Sequence, residues 1–284
     1  MYTLRYPNEK VGDAFDVLSS ALRSDVPTDM KKKLMPLYNA YSAENGVGCN
    51  MKSAKKFRLK YGATLKGAYI NTYKDKPLFW LRKELRAVAG NRCPSCGGAR
   101  PVTLDHHLAQ EPFPEFAILP LNLVAMCGPC NQKKSASTGK TIATSFIHPY
   151  LDEIPKVKFF EATVLRKDGT YTVDFAFTSE NIQDGVLADR MSRQLNKVDF
   201  NESLLPEVGE LLAEWALRIE DEIVEPNKGK VNQELIKSYL NKNATRIEKQ
   251  HRVGFWQAIM SRALANDAEF CSGGFRDLLP RQSA

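Results

Sequence analysis

The chain has 284 residues, of which 43% are hydrophobic, 26% charged and 10% aromatic, with 17 glycines and 15 prolines. These fractions fit a folded globular protein and exclude a collagen-like repeat, a disordered chain and a small disulfide scaffold. The formal charge of +7 is uneven: residues 1–80 carry a net +7, residues 81–140 +4 and residues 141–284 −4. The front half is therefore either a polyanion-facing surface or a set of solvated basic faces. The longest apolar stretch, residues 116–126, is broken by Pro120 and Asn122 and falls short of the ~20 residues of a membrane helix. No membrane partner is expected. The first residues include Arg5, Glu9 and Lys10 and lack the apolar block of a signal peptide, so a cytoplasmic protein with reduced thiols is expected.

In chain order, apolar residues recur at three- and four-residue steps over Ala14, Val17, Leu18, Ala21 and Leu22, and again over Leu34, Leu37, Tyr38 and Tyr41. That is helical periodicity in two pieces, with Pro27 and Thr28 as break and N-cap. Residues 44–48 read as a turn. Lysines cluster at Lys31, Lys32 and Lys33 and along Lys52, Lys55, Lys56, Arg58 and Lys60. Pro77 opens a helix to Ala89 with Leu78, Leu81, Leu85 and Val88 on one face, closed by Gly90-Asn91. Residues 157–165 and 171–177 are rich in β-branched and aromatic side chains, and Asp168-Gly169 between them predicts a tight hairpin turn. Helices are expected over 186–198, 206–223, 233–250 and 255–265.

Four of the six cysteines form two pairs, Cys93-x-x-Cys96 and Cys127-x-x-Cys130, with 30 residues between the inner members. Two such knuckles can place four thiolates around one zinc at ~2.3 Å, and in a reducing compartment this outranks a pair of disulfides. Gly97, Gly98 and Gly128 suit the tight turns of the knuckles. Cys49 and Cys271 have no partner at such spacing and read as small buried hydrophobes.

Between and beyond the knuckles run Leu104-Asp105-His106-His107-Leu108, then Leu121-Asn122-Leu123, then Cys130-Asn131-Gln132-Lys133-Lys134. The Asp-His step, the central Asn-Leu and the ending Cys-x-x-Cys-Asn-x-x-Lys resemble the HNH endonucleases of the ββα-metal (His-Me finger) superfamily, over about residues 90–135. Many members carry His where this chain has Asn131, and an amide oxygen can also ligate a hard cation. The resemblance implies an α+β fold. Residues 77–155 would form a zinc-stapled ββα module, residues 1–76 a basic, mainly helical N-terminal region, and residues 156–284 a β-hairpin plus helices.

The chemistry implied is metal-dependent hydrolysis of a DNA phosphodiester. Such hydrolysis needs a deprotonated water, a cation to absorb charge on phosphorus and a stabilised leaving oxygen. His106 aligns with the general base, and Asp105 and Asn131 with the ligands of a catalytic Mg²⁺ or Mn²⁺. Asn122 aligns with the residue that holds the loop between the strands. Zinc on the cysteines would be structural, because its closed coordination leaves no open position. On a regular strand Asp105 and His106 point to opposite faces, so a local distortion is expected to bring both to one site. His107 is open between loop support, substrate contact and a core position. Lys133 and Lys134 are either phosphate contacts or solvated.

A His148-Pro149-Tyr150 step resembles one that follows the module in HNH proteins with a C-terminal extension, and reads as a turn packed on the core. The whole plan resembles nuclease subunits of bacterial anti-phage systems of the Septu type, which act beside an ATPase partner. A homo-oligomer would suit double-strand cleavage, and RNA is not excluded as substrate. The competing reading is a non-catalytic zinc-ribbon protein that binds nucleic acid.

Overall fold

The computed structural model describes residues 1–51, 55–167 and 170–280. The chain forms two compact units, the first of residues 1–154 with 186–200, the second of residues 155–185 with 201–284.

The first unit opens with a short turn of helix, α1 (Asn8–Val11), then α2 (Ala14–Leu22) and α3 (Thr28–Ala43). Asp13 caps α2 by accepting from Phe15 N at 2.7 Å, which satisfies one of the amide groups left free at a helix start. The basic run folds into α4 (Lys55–Ala68), which hides Phe57, Leu65 and Ala68. Lys52 lies outside the described residues. The apolar stripe expected after Pro77 becomes α5 (Phe79–Ala89), ended by Gly90 at φ 62°, a left-handed turn that costs glycine little.

Two four-residue strands follow, β1 (Thr103–His106) and β2 (Leu123–Met126), antiparallel with Thr103 opposite Met126 and His106 opposite Leu123. The seven-residue α6 (Gly128–Lys134) starts at Cys127, and β1, β2 and α6 make a ββα unit. Helix α7 (Gly185–Lys197) binds the segment that follows this unit through Arg190, whose guanidinium holds both carboxylate oxygens of Asp152 at 2.8 and 2.7 Å and donates to Ser145 O and Phe146 O. Gln194 accepts from Ile147 N and donates to Ser95 in the first knuckle. One apolar core runs from the N-terminal helices into the strands, with Leu18, Leu34, Leu65, Leu85 and Leu123 fully buried. Residues 1–76 and 77–154 thus share an interior, and the expected division at 76/77 is not a division between units.

In the second unit β3 (Phe160–Lys167) and β4 (Thr170–Phe177) pair antiparallel from Phe160–Phe177 to Lys167–Thr170. The Asp168-Gly169 turn itself lies outside the described residues. Helices α8 (Phe200–Ile219), α9 (Gln233–Gln250), α10 (Trp256–Asn266) and α11 (Ala268–Cys271) complete it. The hairpin packs on α10, where Phe175 meets Trp256 edge-on at 5.9 Å, and α9 packs along α10. Helix α8 begins at Phe200, so Pro206 sits inside it and is not its first residue. No helix of the described residues is long and apolar enough to cross a membrane.

Candidate functional site

The ββα unit is closed by sulfur. Cys93, Cys96, Cys127 and Cys130 are buried, their Sγ atoms all lie within 4.8 Å of one another, and none is in a disulfide. Cys96 Sγ and Cys127 Sγ are 3.9 Å apart, close to the ~3.8 Å edge of a tetrahedron with ~2.3 Å bonds. The first knuckle has the turn geometry that such a site needs. Gly97 takes φ 75°, its N–H donates to Cys93 O at 2.7 Å, and Gly98 N–H points at Cys96 Sγ at 3.4 Å. Gly128 differs from expectation: it is an ordinary helical residue, and a Cβ there would meet nothing within 4 Å. The four thiols could hold a structural zinc. Cys271 is buried, whereas Cys49 is exposed, contrary to its reading as a core residue.

Alternation along β1 sorts the candidate residues. Thr103 and Asp105 meet α6, where residues three apart share a face. Asn131 Nδ2 donates to Thr103 Oγ1 at 3.1 Å, and Lys134 Nζ lies 2.8 Å from Asp105 Oδ2. Asp105 and Asn131 are therefore brought to one side. Lys134, expected at a phosphate, is buried to 1% exposure: its ammonium also donates to His106 O at 2.8 Å and sits over the Phe146 ring. Lys133 is taken by Asp199 at 3.1 Å. Burial raises the Asp105 carboxyl above the usual range, and the Lys134 ammonium pulls the other way.

His106 turns to the other face. Its ring packs against that of Tyr69, centroids 4.4 Å apart and planes tilted by 54°, and Nε2 lies 2.9 Å from Ala117 O. A carbonyl only accepts, so Nε2 carries the hydrogen and Nδ1 the lone pair. Burial lowers this imidazole from 6.5 to about 4. Tyr69 is held in turn, donating to Leu104 O at 2.7 Å and receiving Arg82 Nη2 at 3.3 Å. The strand runs regularly through His106, so the expected distortion between Asp105 and His106 is not present.

The loop carrying Ala117 is stitched by Asn122, which is fully buried. Its Oδ1 accepts from Leu108 N and Tyr41 Oη at 2.8 Å each, and its Nδ2 donates to Leu108 O and Phe116 O. Behind it stands the histidine of the His-Pro-Tyr step. Tyr150 N donates to His148 Nδ1 at 3.2 Å, which puts the ring hydrogen on Nε2, 3.0 Å from Tyr41 Oη. The sequence residue His148 thus reaches Asn122 through Tyr41. Gly46, at φ 66°, leaves room for this chain, since a Cβ there would lie 2.8 Å from His148 Cδ2. His107 is buried with its ring 4.3 Å from that of His148, a core position.

Asp105 and Asn131 carry one carboxylate and one amide oxygen, the donor types that Mg²⁺ or Mn²⁺ takes. A cation there would have to displace Lys134 from the Asp105 carboxylate. The sequence marks Tyr41 only as part of an apolar stripe, and it marks neither Tyr69 nor Arg82; they come from α3, the turn after α4 and α5 respectively, and no spacing links them to β1.

No family model matches this chain, and no solved structure matches it. It is similar to protein ea31 of Escherichia phage lambda, with 32% identity over 96 residues, 31% of this chain and 31% of the lambda protein. The chain matches less than a third of that relative's length.

Proposed function

We propose that this protein is a metal-dependent endonuclease of the HNH type acting on DNA. The observation that supports the reading best is the fixing of His106. Ala117 O, on a loop held by Asn122, accepts from Nε2–H and leaves Nδ1 as the basic atom of a ring that is neutral at physiological pH. In the proposed reaction Nδ1 takes a proton from water, the oxygen so activated attacks phosphorus, and the bond to the 3′ oxygen breaks, that oxygen taking a proton from a second water, to give 5′-phosphate and 3′-hydroxyl ends. A divalent cation held by Asp105 and Asn131 would stabilise charge on the phosphoryl oxygens, and because Asp105 and His106 face opposite sides of β1, the reaction requires the end of β1 to rearrange so that both reach one phosphate. Zinc on the four cysteines would hold β1 and β2 against α6. The proposed setting is an anti-phage system with an ATPase partner, for which co-purification of a second subunit is the check.

Cleavage of supercoiled plasmid with added Mg²⁺ or Mn²⁺ tests the reaction. Wild type should nick, and His106→Ala should be slower by about 10²-fold or more at unchanged zinc content. Cleavage that survives the substitution would remove the base assignment.

A second reading is favoured by one observation: Asp105 is neutralised by Lys134, and Asp105 and His106 are each less than a tenth exposed. That is the arrangement of a metal-stapled module that binds nucleic acid without cutting it. DNA binding with no cleavage in any divalent metal would select it.

A further inference from the structure

Beside the ββα unit, a cleft of about 390 Å³ opens between α5 and the segment that leads from the first knuckle into β1. Lys83, Arg86 and Ala87 line it from α5, at helical steps of three and four that share one face, and Gly90 and Asn91 line it from the turn that ends the helix. Arg100 and Pro101 line the other side. The rim is cationic and the floor small. A Cβ at Gly90 would meet nothing within 4 Å, so a ligand can approach the backbone there.

The cations of the cleft differ from those of the lysine-rich helix α4. On α4, Arg58 pairs with Glu115, Lys60 with Asp29 and Lys66 with Glu111, and a paired cation has little left to offer a polyanion. Lys83, Arg86 and Arg100 have no carboxylate partner among the ion pairs of the described residues. Two of them are also held in place. Arg86 Nε donates to Pro101 O at 3.1 Å, which orients its fork and leaves the terminal nitrogens for a planar anion. Lys83 Nζ sits 4.8 Å from the centre of the Phe79 ring, one turn back. The end of α5 is the negative pole of its helix, so some of this charge serves the helix itself. That explains Arg86 in the last turn, but not Arg100, which belongs to another segment.

We propose that this cleft is a binding site for the phosphodiester backbone of DNA, separate from the residues that would cut it. The proposal deepens the nuclease reading and rests on it for the choice of ligand. Pro101 and His106 are five residues apart along an extended segment, about 17 Å at ~3.3 Å per residue, so one duplex can span both places. Contacts of this kind position a duplex without reading its sequence.

Binding of a 20-base-pair duplex, followed by fluorescence anisotropy without added divalent cation, separates this site from catalysis. In Lys83→Gln/Arg100→Gln, which keeps the Arg86–Pro101 bond, affinity should fall about tenfold or more, and the slope of log K against log salt should shrink by about 1–2. Zinc content and melting temperature should match wild type. Lys31→Gln/Lys32→Gln/Lys33→Gln alters more charge on exposed positions elsewhere and should bind nearly as wild type does. Inorganic phosphate should compete no better than chloride at equal ionic strength; displacement at low millimolar phosphate would reassign the cleft to a free anion. Unchanged binding in the cleft variant, an equal loss in the control variant, or a wild type that does not bind would each overturn the proposal. A wild type that binds through the cleft yet cuts nothing would sink the nuclease reading alone.

Discussion

Lys134 and Asp105 neutralise one another out of water, at 2.8 Å and with 1% and 8% of their side chains exposed. Lys134→Met would leave a buried carboxylate without its partner, and breaking a buried pair from one side costs about 3–5 kcal/mol. Urea denaturation should show that loss, and adding Asp105→Asn should recover part of it; a single variant as stable as wild type would contradict the pairing. Asn122→Ala removes four hydrogen bonds and orphans buried groups of the 108–116 loop, each worth about 1–3 kcal/mol when left unsatisfied. Its stability should drop by several kcal/mol, read in the same titration. His148 gives one part of the pH dependence, beside His106 and His107, whose imidazoles burial also lowers. Burial lowers its imidazole from 6.5 to about 3, and Nδ1 must stay unprotonated to accept from Tyr150 N. The unfolded chain therefore takes up a proton where the folded one does not. This contribution is complete above about pH 6.5 and is lost as pH falls from there toward 3, by about 1.4 kcal/mol per pH unit. His148→Gln should flatten that part of the stability profile; an unchanged slope would show that His148 is not the group responsible.

Elements as short as β1, β2 and α6, of four, four and seven residues, do not persist alone in water. A metal on the four sulfurs would compensate by fixing both knuckles at once. Removing zinc with a chelator, or Cys127→Ser, should cost several kcal/mol and lower the melting temperature by about 10 °C or more, followed by circular dichroism; a chain indifferent to chelation would contradict the clamp. The sulfur spacing was legible because metal geometry imposes it on adjacent residues of the chain. Helices with a clear apolar stripe were legible for the same local reason, as with α9 from Gln233 to Gln250. Helix α4 was not, because its buried Phe57, Leu65 and Ala68 are submerged among lysines that drew attention to charge alone. The start of α8 was misplaced because Pro206 resembles a first helical residue, whereas the helix tolerates it in its second turn.

At the scale of the whole molecule, contacts distant in sequence decide what periodicity cannot. Tyr41 reaches Asn122 across 81 residues and His148 across 107, so nothing local marks α3 as support for the loop after β1. The same holds for residues 186–200, which belong to the first unit although the hairpin precedes them; Arg190 and Gln194 are buried polar groups whose partners lie at 145–152 and in the first knuckle. The region expected over 156–284 is thus interrupted by a segment of the first unit, and no unit boundary falls at 76/77, where α2 to α4 supply apolar surface that the short strands lack. That His106 faces away from Asp105 follows from strand alternation, but its partners Tyr69 and Ala117 were hidden, because neither is marked by its spacing from the histidine. Everything proposed for the site depends on a metal held by sulfur at the base of the ββα unit, and X-ray absorption at the zinc edge of the purified protein tests this most directly. One zinc per chain with four sulfurs at ~2.3 Å is expected; no stoichiometric metal, or a shell of nitrogen and oxygen, would contradict it.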